Sequence, residues 1–253
     1  MMRARIALLC ANSETSRIAY HYLKEYVDVA VVVAEEPVRP YTVLRRRIRR
    51  LGIYPAVGQA LFAAVLMPLI RRLSQERLRE IMTQYKLDDT SIPEGLCNTV
   101  LSVNDPEAAA IIQKAQVSYV VVWGTRLLSA KTIQAIGVPI INIHVGITPR
   151  YRGSHGGYWA LYHRDQTHCG VTVHLIDTGI DTGGILAQRT ITPTLQDTIA
   201  TYPLLQLVEG LGAVVAYLNA PTPVQVVPIG TPSGLWFHPT LFQYIRGWLR
   251  GVK

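Results

Sequence analysis

The chain has 253 residues, 49% of them apolar and 17% charged, a balance that excludes intrinsic disorder and fits one large domain or two small ones. Its three cysteines, Cys10, Cys97 and Cys169, are scattered and show no metal-ligand spacing, which argues against disulfides and structural zinc and for a reduced, cytoplasmic setting. The net charge of +8 is local: between Arg39 and Arg79 ten arginines stand against one acid, Glu76, so that segment carries the excess and points to an anionic partner.

No signal peptide is legible, because Met1 to Arg5 leads into a short apolar run, "IALLCA", that reads as a first buried strand. The loop after it, "CANSETSR", has no glycine; Ser13 or Thr15 reads as the N-cap of a first helix, with anion binding there a lesser reading. "VDVAVVVAE" and "VSYVVVWG" are further apolar, β-branched runs, as expected of parallel strands buried on both faces. Between these two, residues 38–90 have helical spacing, a Pro at 55 that can open a helix and no strand signal, and read as an inserted helical hairpin. Its apolar core, Val57 to Ile70, lies between arginine clusters and fits a weak anionic membrane-surface contact; a helix packed on the body with solvated arginines is the favoured reading. No stretch approaches the roughly 20 apolar residues of a membrane span.

Downstream, "SAKTIQAIG" carries its own cap, Ser129, and stop, Gly137, and leads directly into a fourth run, "VPIINIHV". The series is βαβ. It predicts an α/β fold with a Rossmann-like, doubly wound, mostly parallel sheet, helices on both faces, and ligand sites at the carboxyl ends of the strands. After Asp181 come a loop, a strand, a long helix beginning near Thr194 to Asp197, an edge strand in "TPVQVVPIG", and a short tail. The expected organisation is a catalytic domain over 1–195, with residues 196–253 as a helix, edge strand and tail packed on the same domain.

Asn142 and His144 are two residues apart in the fourth strand, which puts them on one face. In "GVTVHLIDTGIDTGGIL" a strand pattern runs into a loop holding Asp177 and Asp181. An amide, an imidazole and a carboxylate can serve as oxyanion donor, general acid/base and orienting group. Each also has a plainer reading: Asn-x-His as a hydrogen-bonded turn, Asp181 as a turn Asp beside glycines. His174 belongs to the strand pattern and reads as structural, and so does His155 in "GSHGGYWAL", with substrate contact as its lesser reading.

"NIH" followed by "TPRYRG", then "GVTVHLIDTGIDTGGIL", resembles the folate-dependent formyltransferases, the family acting on glycinamide ribonucleotide, methionyl-tRNA and sugar amines. The resemblance runs from about Val117 to Ile191 and extends to "GTRLLS", which is similar to the segment lining that family's pteridine pocket. It implies that Asn142, His144 and Asp181 form the catalytic set and that 10-formyltetrahydrofolate is the formyl donor. An attacking amine would leave an oxyanion stabilised by Asn142 and protonated His144, while Asp181 positions His144 or a proton-carrying water. It further implies that Arg126, Leu128, Ile176 and Thr178 line the folate site, largely through backbone groups, and that Asp177 only shapes its loop.

Where the glycinamide ribonucleotide enzymes have a Gly-rich phosphate loop, this chain has "CANSETSR". The methionyl-tRNA enzymes carry an additional C-terminal β-barrel, which the residues after Ile191, mostly spent on one helix, are not expected to supply. By elimination the expected acceptor is a small-molecule amine, such as an amino sugar on a nucleotide carrier, whose diphosphate suits a basic surface. Two alternatives stand beside it: a formyltetrahydrofolate hydrolase, and a non-catalytic protein that keeps the fold and binds anionic surfaces. Association into a homo-oligomer is left open.

Overall fold

The first two apolar runs fold as β1 (Arg5–Ala11) and β2 (Asp28–Glu35), joined by α1 (Glu14–Lys24), in a computed structural model that describes residues 3–253. Every residue from Ile6 to Cys10 is buried, as a parallel strand covered on both faces requires. Ser13 caps α1, its hydroxyl accepting from the Ser16 N–H at 3.3 Å.

The basic insertion forms α2 (Pro40–Leu51), α3 (Ile53–Leu61), α4 (Met67–Leu73) and α5 (Gln75–Gln84). Between α3 and α4, Phe62–Leu66 makes one wide turn in which the Met67 N–H reaches the Phe62 carbonyl, so Ile53–Leu73 runs on as a single 21-residue helix. The wide turn loosens the backbone just before Pro68, whose ring an unbroken α-helix would not accept. Ile53–Leu73 is long and apolar enough to cross a membrane by length and composition, which corrects the expectation that no stretch approaches that length. Gly58, Gln59 and Pro68 interrupt the apolar run in the sequence but not in the helix.

The chain continues through β3 (Cys97–Val100), α6 (Pro106–Lys114), β4 (Tyr119–Trp123), α7 (Ala130–Ile136), β5 (Ile140–His144), β6 (Arg152–Gly153) and α8 (Gly156–Tyr162). β7 (Gly170–Leu175), β8 (Ile185–Thr190), α9 (Tyr202–Asn219), β9 (Leu235–Trp236) and α10 (Leu241–Trp248) complete it. Ser129 and Gly137 bound α7 as read: the Ser129 hydroxyl accepts from Thr132 N–H, and Gly137 takes the left-handed conformation at φ 72°.

The main sheet has the order β3-β2-β1-β4-β5-β7-β8. Its first five strands are parallel, and β7 and β8 run antiparallel at one end. This is the doubly wound, mostly parallel sheet expected, with α6 and α7 on one side and α1 and α9 on the other. The strand order reverses at β1 and β4, so a crevice opens beyond their carboxyl ends.

Three boundaries differ from the sequence reading. β3 was not expected. α9 starts at Tyr202, not near Thr194 to Asp197, because the buried Asp197 carboxylate ties that segment into turns: it accepts from Thr194 N–H at 2.8 Å and pairs with Arg77 of α5 at 2.9 Å. The "TPVQVVPIG" edge strand reduces to one bridge, Gln225 to Ile185, since Pro221, Pro223 and Pro228 have no N–H to donate to a ladder. The tail instead folds as β9 against β6 and as α10, which opens with a reciprocal cap between Thr240 and Gln243.

Candidate active site

At the carboxyl ends of β4 and β5 lies a pocket of about 540 Å³. Asn142 and His144 both line it, as alternation along β5 requires. Asp181 reaches the same wall from the loop between β7 and β8, held in the left-handed region at φ 51°, a conformation that Asp and Asn tolerate better than most residues.

Around His144 every partner is an oxygen. Its Nε2 lies 2.7 Å from the Tyr151 carbonyl and its Nδ1 3.4 Å from Asp181 Oδ2. A carbonyl can only accept, so the neutral ring carries its proton on Nε2 and leaves Nδ1 free to take a second one beside a carboxylate. Burial pushes the His144 pKa below the ordinary imidazole value, although Asp181 and the Tyr151 carbonyl pull it upward. Burial thus favours the neutral ring at rest, while the Asp181 carboxylate favours the imidazolium that the sequence reading places at the oxyanion stage. Burial raises the Asp181 carboxyl, but its contacts with His174, His144 and the Gly153 N–H outweigh that and hold it below the usual carboxylate range. Gly153 N–H donates to Asp181 Oδ2 at 2.8 Å and fixes that oxygen against His144.

His174, read as a strand residue, belongs to this cluster. The antiparallel register pairs it with Asn142. Its Nδ1 donates to the Leu175 carbonyl at 2.7 Å, so Nε2 accepts from Asn142 Nδ2 at 3.1 Å, with Asp181 Oδ1 at 3.6 Å. The result orients the Asn142 amide and leaves its second N–H unused. A signal was present: Thr172 and His174 are polar at alternate positions of an otherwise apolar, buried strand.

Arg126, Leu128 and Ile176 line the pocket, whereas Thr178 is exposed on the outer side of its loop and not part of the lining. The Arg126 guanidinium faces away into structure, pairing with Glu35 at 2.5 Å and donating to the Leu101 and Glu36 carbonyls. Asp177 accepts from Gly179 N–H and Thr182 Oγ1, both from its own loop. His155 lies outside the pocket against His238, with 3.0 Å between ring nitrogens. Sequence reading also missed Arg50 of α2 and Trp236 and Phe237 of the tail as wall residues, for they come from segments with no local link to the site.

Comparison with known proteins agrees with this architecture. The formyl transferase family model matches residues 78–204, half of the chain. The chain is 36% identical over 99 residues to the methionyl-tRNA formyltransferase of Thermosynechococcus vestitus, covering 38% of this chain and 29% of that protein. It is 27% identical over 152 residues to the methionyl-tRNA formyltransferase of Trichodesmium erythraeum, covering 58% and 45%. These matches thus span less than half the length of either relative. Among solved structures, glycinamide ribonucleotide transformylase 1 from Symbiobacterium toebii superposes with a TM-score of 0.55 at 20% identity, over 90% of this chain and 95% of that one. A sugar N-formyltransferase from Shewanella sp. gives 0.54 at 16% identity, over 98% and 87%; at such identities the likeness is one of fold. With half its length matched by that family's model, the chain belongs to the formyl transferase family.

Proposed function

We propose that this protein transfers a formyl group from 10-formyltetrahydrofolate to a small-molecule amine, with Asn142, His144 and Asp181 as the catalytic set. The carrying observation is the buried His144, whose Nε2 is held by the Tyr151 carbonyl and whose Nδ1 faces the Asp181 carboxylate at 3.4 Å. The pocket suits a flat ring with donors and acceptors along its edge. Its volume of about 540 Å³ is that of an ordinary small-molecule site, Leu127 and Ile176 give it apolar walls, and the Leu128 backbone is free of the hydrogen bonds that secure its neighbours.

When bound, the folate supplies an activated formyl carbonyl. The free N–H of Asn142 then donates to the oxygen on which negative charge develops, and His174 holds that amide in place. His144 Nδ1 would accept the proton that the attacking amine sheds, Asp181 would stabilise the imidazolium so formed, and His144 would return that proton to the donor nitrogen as its bond to the formyl carbon breaks. Arg126, Leu128 and Ile176 remain the proposed folate contacts, with the Arg126 guanidinium acting on loop geometry, while Thr178, outside the lining, is set aside. Arg50 at the pocket wall favours an acceptor that carries negative charge, such as an amino sugar on a nucleotide diphosphate. The unpaired Cys10, Cys97 and Cys169 suit a cytoplasmic setting.

The test is a screen of amines, neutral and anionic, with 10-formyltetrahydrofolate, following folate release and the mass gain of each amine. Formylation of an anionic amine supports the reading. Folate release with free formate and no formylated amine assigns a hydrolase, and no release with any amine overturns formyl transfer.

A further inference from the structure

The helix Ile53–Leu73 buries one side only. Ala56, Gln59, Phe62 and Ile70 face the body, and the Phe62 ring lies against Tyr244 of α10 at 5.3 Å between centroids. Its other side presents Tyr54, Val57, Leu61, Val65, Leu69 and Leu73 to solvent. Their spacing of three or four residues makes one continuous stripe, and the exposure is large: 89% at Tyr54, 65% at Val65 and 77% at Leu73. α10 packs beside this helix through Tyr244 and exposes Phe242, Ile245, Trp248 and Leu249, with Trp248 sharing a groove with Leu73.

Arginines flank the stripe along the chain: Arg45, Arg46, Arg49 and Arg50 on α2, which leads into it, Arg71 and Arg72 in its last turn, and Arg246 and Arg250 at α10, with Arg50 stacked over Phe237 and Arg250 over Tyr162. Only Arg71 of these forms an ion pair among the described residues, with Glu14. A row of apolar and aromatic side chains flanked by arginines, all but Arg71 free of ion pairs among the described residues, matches the two layers of an anionic bilayer surface, acyl chains below and phosphates above. A second copy of the chain matches it poorly, because a two-fold contact would set this arginine border against itself. Spanning the bilayer would strip Phe62 from Tyr244 and Arg71 from Glu14.

We infer that Ile53–Leu73 and α10 form a docking surface that lies flat in the headgroup layer of an anionic membrane. Arg50, three residues before the helix begins, lines the pocket, so surface and active site adjoin.

The experiment is sedimentation of the full chain with vesicles of phosphatidylcholine alone and of phosphatidylcholine mixed with phosphatidylglycerol, at low and physiological salt. Mixed vesicles bind at least ~10-fold better than neutral ones at low salt, because several arginines act together. Salt weakens this binding without abolishing it, because the apolar contact is not screened. Val65→Asp with Leu69→Asp, both at exposed positions, lowers partitioning by at least ~10-fold while the thermal melt is unchanged. If that pair misfolds, Val65→Ser with Leu69→Ser serves, with a smaller loss. Arg45→Glu with Arg49→Glu abolishes the preference for anionic vesicles. Equal binding to both vesicles, no binding to either, or full binding by the aspartate pair overturns the inference. So does a dimer in light scattering that the aspartate pair dissociates, which would assign the face to a second copy.

Discussion

Replacing Asp181 by Asn removes one charge from the centre of the site and disturbs little else. Asn tolerates the left-handed backbone at φ 51°, and its side-chain carbonyl can still accept from the Gly153 N–H, now 2.8 Å from Oδ2. What disappears is a negative charge 3.4 Å from His144 Nδ1. At an effective dielectric near 20, an ion pair at this distance is worth roughly 4–5 kcal/mol. Each ~1.4 kcal/mol is tenfold in rate, so protonated His144 loses on the order of 10³-fold in stability, inside the usual 10²- to 10⁴-fold range for acid/base catalysis. The pH profile moves as well. Burial already lowers the His144 pKa, and Asp181 is the largest influence opposing that; the wild-type rate rises with pH through this lowered pKa and then levels. In Asp181→Asn the opposing charge is gone, so the acid limb shifts to still lower pH while the plateau falls. The assay is single-turnover folate release with a saturating amine acceptor, measured from about pH 4 to 9 to cover the acid limb and the plateau. A loss below about tenfold, or an acid limb that stays in place, refutes the role given to Asp181.

Asn142→Ala lowers kcat by about 10²- to 10³-fold and leaves calorimetric affinity for 5-formyltetrahydrofolate nearly unchanged; equal losses in both would make Asn142 a binding residue. Gly210→Ala tests how α9 meets the sheet, since an added Cβ would lie 2.4 Å from Ile143 Cγ2 and 3.1 Å from Val171 Cγ2. Denaturant melts should show a loss of ~1–3 kcal/mol, and unchanged stability would contradict so close a contact. His155 is held to a pKa of about 4 by burial and then Arg47, and His238 to about 3 by burial, then His155 and Arg47. The unfolded chain takes up these protons near pH 6.5, so stability is lost as pH falls below that value towards the two native pKa values. Thermal melts between about pH 7 and 4 should slope downward on acidification, and His238→Phe should flatten the slope; an unaltered slope would assign it to other groups.

Features set by neighbours in the chain were legible in the sequence. Ser129 offers an acceptor where α7 has free N–H groups, Gly137 adopts the turn that ends it, and buried β-branched runs make parallel strands wherever helices cover both faces. Asn142 and His144 share a face because a strand repeats every two residues. The remainder depended on which distant segments meet. His174 joined the site only because β7 pairs with β5 in a register that sets it opposite Asn142. Asp197 delayed α9 only because Arg77, from another helix, reaches its carboxylate. The apolar core from Val57 to Ile70 was legible, but which of its residues stay exposed was not, for the same reason: an amphipathic pattern tells which residues prefer to leave water, but packing decides which of them the body covers. Here the body covers Phe62 and Ile70 and leaves Val65 and Leu69 exposed, because burial is a property of surfaces brought together by the whole chain rather than of any residue or its immediate neighbours.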